Sequence, residues 1–393
     1  MAYDFESVYD RASTDSLKWA SSIGHCGREG LLPLWVADMD FACPPELVEA
    51  VRARAEHPIY GYPERGESYY ASIIGWMKRR NGWDIDKEWI LYVPGVVPAL
   101  NFAVHAYSKP GDAIIIQPPV YYPFRAAVSE NGRRLIENPL IAQEGRYVMD
   151  YEGLVRSIDA NTKAIILSSP HNPVGRVWEK PELERLVEVC HRHGIVIISD
   201  EIHSDLILGD IPHTCIASLS AKAASITVTL TAPNKTFNMA GLTMGSAIIA
   251  DETLRKAFAA AVADSGIGVS NIFGNVALEA AYDKGEAWLK ELLAYLRGNY
   301  RYITIFFAEK LPELRLSPLE GTYLVWIDCR GLGLDDAGLR EFFTKKAGLW
   351  LDEGTKFGTG GSGFMRLNMA CPRSLLVEAL ARLEIAMDER RRI

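Results

Sequence analysis

The sequence predicts an α/β protein whose larger part is a mostly parallel sheet with helices on both faces. Four short runs are almost entirely aliphatic or β-branched, which is the composition of strands buried on both sides. Segments with helical spacing of apolar residues lie between several of these runs, and such alternation is typical of parallel α/β sheets. The four runs are residues 113–116, 163–167, 194–199 and 226–230.

The predicted elements divide the chain into three parts. Residues 1–45 have little periodicity, but the apolar stretch at 31–41 predicts that they pack on the small domain or on a second subunit. Residues 46–285 carry the alternating strands and helices and are predicted to form the large domain. Residues 286–393 combine long helices with isolated strands, which predicts a smaller α+β domain.

Composition narrows the functional classes. The chain has 393 residues, and its 48% hydrophobic and 23% charged content is ordinary for a globular protein. A net charge of −8 disfavours nucleic-acid binding and favours small-molecule partners. No apolar run approaches the length of about 20 residues that a membrane span needs, and the N-terminus lacks the pattern of a signal peptide. Six cysteines without CxxC spacing indicate reduced thiols, so a cytoplasmic location is expected.

Lys235 and Asp200 follow two predicted strands of the same sheet. Ligands bind at the edge where parallel strands end. Desolvation at this edge lowers the pKa of a lysine and makes its amine a nucleophile. A carboxylate there needs a cationic partner, and the protonated ring nitrogen of pyridoxal phosphate (PLP) is one. The two residues together therefore predict PLP chemistry.

Three other predicted strands end near the remaining parts of a PLP site, and they are residues 89–93, 113–116 and 163–167. Val96 and Val97 open a helix after a tight turn, so their amides are expected to bind the phosphate at the positive end of that helix. Tyr121 offers a flat ring for stacking on the cofactor. Asn172 offers an amide that can donate a hydrogen bond to the phenolic oxygen of the cofactor.

Longer motifs surround these residues. They are 35–41 (WVADMDF), 94–97 (PGVV), 200–205 (DEIHSD), 235–238 (KTFN) and 363–368 (GFMRLN). Together they resemble the MalY/PatB family of cystathionine β-lyases, also called C–S lyases, within the class I and II aminotransferase superfamily. The similarity extends from about residue 5 to the C-terminus. It implies a PLP-dependent transferase fold of type I and the cleavage of L-cystathionine or related cysteine S-conjugates to thiol, pyruvate and ammonia.

The resemblance assigns catalytic and cofactor-binding roles. Lys235 would bind PLP covalently and act as the catalytic base, and Asp200 would pair with the pyridinium nitrogen. Asn172 and His203 would flank the phenolic oxygen, while Tyr121 would stack on the ring.

The same resemblance assigns the substrate site and the assembly. Arg366 would bind the substrate α-carboxylate together with Asn172, because a planar guanidinium suits a carboxylate better than a lysine does. Tyr62 matches the position from which a neighbouring subunit reaches the cofactor phosphate. A homodimer with active sites at the subunit interface is therefore expected.

Three positions depart from the family pattern. Ala232 and Asn234 stand where relatives often have serines, and Thr243 stands where many aminotransferases have a phosphate-binding arginine. The phosphate is therefore expected to bind at the helix start described above and at Thr231. The missing arginine favours the lyase branch of the superfamily.

Two other functions remain open. An aminotransferase uses the same lysine and aspartate, and a regulatory protein on this fold would use its surface to hold a partner. Retention of Lys235, Asp200 and Arg366 favours an enzyme.

Two further patterns are set aside. Residues 358–363 (GTGGSG) match the dinucleotide-binding fingerprint, but a strand-like segment follows them where a helix is required. Residues 190–193 (CHRH) lack the regular spacing of metal ligands, so no metal site is predicted.

Overall fold

The computed structural model describes residues 2–20 and 30–392. Its centre is a seven-stranded sheet. The strands are β1 (Ile90–Val93), β2 (Ala113–Ile116), β3 (Arg134–Glu137), β4 (Thr162–Ser168), β5 (Val196–Asp200), β6 (Thr227–Thr231) and β7 (Gly245–Ile248). Their order in the sheet is β1-β7-β6-β5-β4-β2-β3. Neighbouring strands are parallel except for the two pairs that involve β7, so the predicted mostly parallel sheet is confirmed.

At the edge of the sheet where β4, β5 and β6 end, each predicted strand stops one residue before the observed strand does. Asp200 is the last residue of β5, and its backbone pairs with Ser168 of β4 and Leu230 of β6. The prediction stops where a polar residue follows an aliphatic run, whereas the backbone of that residue can still form the hydrogen bonds of the sheet. Strands β3 and β7 were not predicted, because neither is a continuous apolar run.

Helices cover the faces of the sheet and continue into the C-terminal part of the chain. Helix Val96–Tyr107 begins directly after Gly95, so Val96 and Val97 lie in its first turn. The α-helices of the described residues are Leu17–Ala20, Pro45–Glu56, Glu67–Asn81, Val96–Tyr107, Pro123–Ser129, Tyr151–Ser157, Lys180–Arg192, Ala221–Ala224, Glu252–Asp264, Ile272–Lys284, Glu286–Lys310, Asp336–Glu341 and Arg373–Arg391.

A second, antiparallel sheet lies in the C-terminal part of the chain. Two short parallel strands, Leu32–Pro33 and Leu349–Trp350, join the N-terminal segment to this part, while the domain boundaries themselves stay a prediction. The antiparallel strands, in spatial order, are Arg315–Leu316, Leu324–Asp328, Phe364–Asn368 and Asp352–Glu353, and a separate hairpin is formed by Ile141–Gln143 and Arg146–Val148.

Residues 34–41, here called the strap, connect the two sheets. The Asn238 amide donates to two strap carbonyls at 3.0 and 2.8 Å. The Asn368 amide donates to two others at 2.7 and 2.8 Å. Because one asparagine comes from the loop after β6 and the other from the second sheet, the strap is fixed on both sides.

Asp40 anchors the strap to the preceding segment. Its carboxylate accepts hydrogen bonds from Lys18 Nζ (2.6 Å), Arg11 Nη1 (2.8 Å) and Trp19 Nε1 (2.9 Å). Lys18 is completely buried, so Asp40→Ala leaves a buried ammonium without its carboxylate. We expect this substitution to lower the free energy of unfolding by about 3 kcal/mol in urea titrations. Asp10→Ala, at an exposed aspartate of the same segment, should change it by less than about 0.5 kcal/mol. Equal losses in both variants would contradict the anchoring role.

The helices and thiols show two further features. No helix in the described ranges is both long and apolar enough to cross a membrane. The cysteines within these ranges are free thiols, while Cys26 lies outside them. The free thiols are Cys43, Cys190, Cys215, Cys329 and Cys371.

Candidate active site

One pocket lies where β4 and β5 end, between the strap and the start of helix Val96–Tyr107. Its empty volume is about 810 Å³, a figure that includes the open solvent at its mouth. The predicted site residues that line it are Val96, Val97, Tyr121, Asn172, Asp200, His203 and Lys235. Residues more than 130 positions apart in the chain thus meet at one edge of the sheet.

Lys235 reaches into this pocket from the loop after β6. Its Nζ donates a hydrogen bond to the carbonyl oxygen of Ala37, on the strap, at 2.6 Å. Burial lowers the pKa of Lys235, with the Arg366 charge lowering it further and the Asp38 and Asp200 charges opposing both effects. A lysine with a lowered pKa has a larger neutral fraction near pH 7, as a nucleophile or general base requires.

Asp200 is buried at the end of β5, and its Oδ1 accepts a hydrogen bond from the backbone N–H of Ile202 at 3.1 Å. Burial raises the pKa of Asp200 to about 7, and repulsion from Glu201 adds to this effect, while the Lys235 charge partly opposes it. A cationic ligand atom beside this carboxyl would stabilise its ionised form. Asp200 is therefore suited to a protonated heterocyclic nitrogen.

The raised pKa of Asp200 makes the stability of the cofactor-free protein depend on pH. The folded state holds this proton more tightly than the unfolded state, whose ordinary value is 3.8. Stability is therefore lost as the pH rises from about 4 to about 7. Asp200→Asn cannot ionise, so we expect it to gain roughly 2–4 kcal/mol relative to the wild type between pH 4 and pH 8. Urea unfolding of both cofactor-free proteins at the two pH values measures this gain, and a difference independent of pH would contradict it.

Asn172 and Tyr121 are held together by their loops. The Tyr121 backbone N–H donates to the Asn172 carbonyl at 3.1 Å. The side-chain oxygen of Asn172 accepts from Arg366 Nη1 at 2.9 Å, which leaves the NH₂ end of the amide available to a ligand. The Tyr121 ring lines the same pocket, in a position to cover a flat ring.

His203 is buried in the pocket wall. Burial lowers the pKa of His203 to about 3, with the Lys235 and Arg366 charges adding to the effect. The imidazole is therefore neutral near pH 7. Its Nδ1 has no hydrogen-bond partner among the described residues, so it can bond to a ligand atom.

Arg366 lies behind Asn172 and is only 2% exposed. Its Nη2 donates to the carbonyl of Trp35 and to Asp352 Oδ2, both at 2.7 Å. Its Nε is buried without a hydrogen-bond partner in the described part of the chain. Fixed on three acceptors, the guanidinium retains donors for a carboxylate.

Two predicted cofactor residues do not line this pocket. Thr231 is buried at the end of β6, where it pairs with Ser246 of β7. Tyr62 is 95% exposed and lies beside a different depression. The roles of both residues in phosphate binding stay predictions.

Two groups at the site were missed by reasoning from sequence. The Ala37 acceptor for Lys235 is a backbone carbonyl, and the type of side chain carries no signal for it. Asp352 is completely buried against Arg366, but it belongs to none of the motifs quoted above. Only the pairing of strand Asp352–Glu353 with the strand that carries Arg366 reveals it.

The fold and the site agree with comparisons to known proteins. The family model for aminotransferases of class I and II matches residues 29–383. This chain belongs to that family. It is 42% identical to the cystathionine β-lyase PatB of Bacillus subtilis, covering 98% of this chain and 100% of PatB. It is 33% identical to the MalY protein of Escherichia coli, covering 97% and 98% of the two chains.

A solved structure supports the assignment of this chain to the aminotransferase family. Cystalysin from Treponema denticola, whose structure contains a pyridoxal 5′-phosphate cofactor, superposes with a TM-score of 0.96. The two chains are 40% identical, and the match covers 99% of this chain and 100% of cystalysin. The predicted membership of the MalY/PatB group and the predicted fold are confirmed.

The pocket residues of this family member fit PLP. Lys235 offers an amine of lowered pKa, and Asp200 offers a buried carboxyl whose pKa is raised to about 7. Asn234 lines the pocket, and its Oδ1 is buried without a hydrogen-bond partner among the described residues. Gly95 and Val96 place a helix N-terminus at the pocket wall, where a phosphate is favoured.

Proposed function

We propose that this protein is a PLP-dependent C–S β-lyase that cleaves L-cystathionine or related cysteine S-conjugates to a thiol, pyruvate and ammonia. The observation that carries the proposal is one pocket that joins Lys235 and Asp200 to Asn172, whose side chain is bonded to Arg366. The relatives named above as cystathionine β-lyase and cystalysin support it further. The overall reaction on L-cystathionine consumes one water and releases homocysteine.

Each pocket residue has a role in this reaction. PLP, when bound, withdraws electrons from the α-carbon of an attached amino acid. Asp200 is suited to keep a proton on the ring nitrogen. Burial destabilises its carboxylate, and a protonated nitrogen beside it would stabilise that carboxylate. Lys235, with its lowered pKa, takes the α-proton as a general base. Tyr121 covers the site from the loop after β2.

Arg366 and Asn172 orient the substrate. Arg366 binds the α-carboxylate through the donors that Asn172, Trp35 and Asp352 leave available. The NH₂ end of Asn172 stays beside the reacting centre. Once Lys235 has taken the α-proton, the electron pair left on the α-carbon forms a double bond to the β-carbon and expels the thiolate.

The assembly and location belong to the same proposal. We propose a cytoplasmic homodimer in which Tyr62 reaches the partner's cofactor phosphate. Tyr62 is 95% exposed, and Ile59 and Tyr60 in the same loop are 68% and 57% exposed. Exposed apolar residues grouped in this way are typical of subunit interfaces.

The test is an assay of the purified protein with PLP and L-cystathionine, and with no 2-oxo acid present. Equimolar homocysteine and pyruvate are expected. Conversion that requires an added 2-oxo acid and releases no thiol would instead establish an aminotransferase, the second function open to this family. No reaction of either kind would remove the enzymatic proposal.

A further inference from the structure

A chain of three charged side chains runs from Arg366 towards the surface. Asp352 Oδ2 accepts from Arg366 Nη2 at 2.7 Å, and Asp352 Oδ1 accepts from Lys356 Nζ at 2.9 Å. Asp352 and Arg366 are buried, whereas the Lys356 side chain is 33% exposed. Since one carboxylate bonds to both cations, the guanidinium and the ammonium lie at its opposite ends.

The turn that carries Lys356 packs closely against neighbouring backbone. It is the single-turn helix Gly354–Phe357, and a Cβ atom on Gly354 would clash with the carbonyl oxygen of Gly361. Only glycine permits this contact. The Phe357 carbonyl accepts from the Val120 backbone N–H at 2.9 Å. The turn is therefore fixed to the loop that leads into Tyr121.

Two aromatic contacts connect the pocket to Phe357, the residue that follows Lys356. Tyr122 has its ring centroid 5.1 Å from that of Tyr121, which lines the pocket, and 6.0 Å from that of Phe357. Burial raises the pKa of Tyr122, Asp352 raises it further, and Arg366 and Lys356 lower it. Tyr122 is 37% exposed, and its hydroxyl lies in the electric field of all three charged groups.

We propose that Lys356 determines specificity by binding a carboxylate on the thiol part of the substrate. The inference rests on the proposed lyase function, in which Arg366 holds the α-carboxylate. An ammonium has three N–H donors, and Asp352 accepts from one of them. A substrate with a second carboxylate at the far end of its side chain can bond to Lys356 while the first stays on Arg366. The preferred substrates are therefore S-conjugates whose thiol part is an acid.

The size of the preference follows from the surroundings of Lys356. Its ammonium is partly solvated and already shares Asp352 with Arg366. Exposed ion pairs contribute up to about 1 kcal/mol, which corresponds to about fivefold in kcat/KM. Because the pair is partly exposed, the preference should shrink at high ionic strength.

Two nearly isosteric substrates test the proposal: S-(2-carboxyethyl)-L-cysteine and its side-chain amide. We expect the wild type to favour the acid by about fivefold in kcat/KM for pyruvate release. Lys356→Gln should abolish the preference, and Lys356→Arg should retain it. Lys256→Gln, at a lysine that is 76% exposed on helix Glu252–Asp264, should leave it unchanged. Any disturbance of Arg366 slows both substrates equally, so the ratio of the two rates isolates Lys356.

The outcomes separate this inference from the function on which it rests. An equal loss of both activities in Lys356→Gln, with the acid preference kept, would overturn the role of Lys356 and leave the lyase intact. Equal cleavage of the acid and the amide by the wild type would do the same. Failure of the wild type to release pyruvate from either substrate or from L-cystathionine would overturn the lyase proposal as well.

Discussion

Lys235→Ala is expected to lower kcat for pyruvate release from L-cystathionine by at least about 10³-fold, measured with saturating PLP. Lys235 is the lysine that lines the pocket, and burial lowers its pKa. Without the amine, the site loses both the covalent link to the cofactor and the base for the α-proton. Asp200 can still pair with the ring nitrogen of the cofactor, but no group removes the α-proton.

Lys222→Ala is the matched control for this substitution. Lys222 lies on the surface, where its Nζ pairs with Glu188 at 2.9 Å. We expect the kcat of the Lys222→Ala variant to stay within about twofold of the wild-type value. Thermal unfolding of both variants checks that they are folded. If Lys235→Ala retained a tenth of the wild-type rate, another group would have to be the base.

Arg366→Lys should raise KM for L-cystathionine by about 10- to 100-fold, because charge-assisted hydrogen bonds to a carboxylate contribute about 1.5–3 kcal/mol. The guanidinium bonds to Asn172, the Trp35 carbonyl and Asp352 at the same time. A lysine ammonium cannot satisfy these acceptors and also hold a carboxylate in a bidentate fashion. The initial-rate dependence on substrate concentration measures the change.

Arg330→Lys provides the comparison for Arg366. Arg330 is 66% exposed and forms its ion pair with Asp328 of the second sheet, so KM should be unaffected there. A large fall in kcat at unchanged KM in Arg366→Lys would contradict a role in substrate binding. Such a result would place Arg366 in the chemical step instead.

The central sheet and most of its ligand edge could be predicted from sequence for a physical reason. Strands buried on both faces must be aliphatic, so their ends are marked where polar residues begin. Asn172, Asp200 and Lys235 each stand just past such a run or on its last paired residue. The family motifs then added His203 and Arg366, which no strand pattern singles out.

The remaining parts of the site depend on contacts between distant segments. The strap presents the Ala37 carbonyl to Lys235, 198 residues away, through a backbone atom that every residue has. Asp352 is defined by its pairing with the strand that carries Arg366. Tyr62 is exposed in the single chain, and its predicted role depends on a second subunit. Local patterns carry no information on the Ala37 carbonyl or Asp352, and the prediction for Tyr62 comes from the family resemblance alone.

We propose that the pocket around Lys235 is the PLP site of this protein. Reduction of the PLP-loaded protein with sodium borohydride, followed by peptide mapping by mass spectrometry, tests it most directly. The mass of reduced PLP is expected on the peptide that contains Lys235 and on no other lysine. An unmodified Lys235 peptide, or PLP attached to a different lysine, would contradict the account.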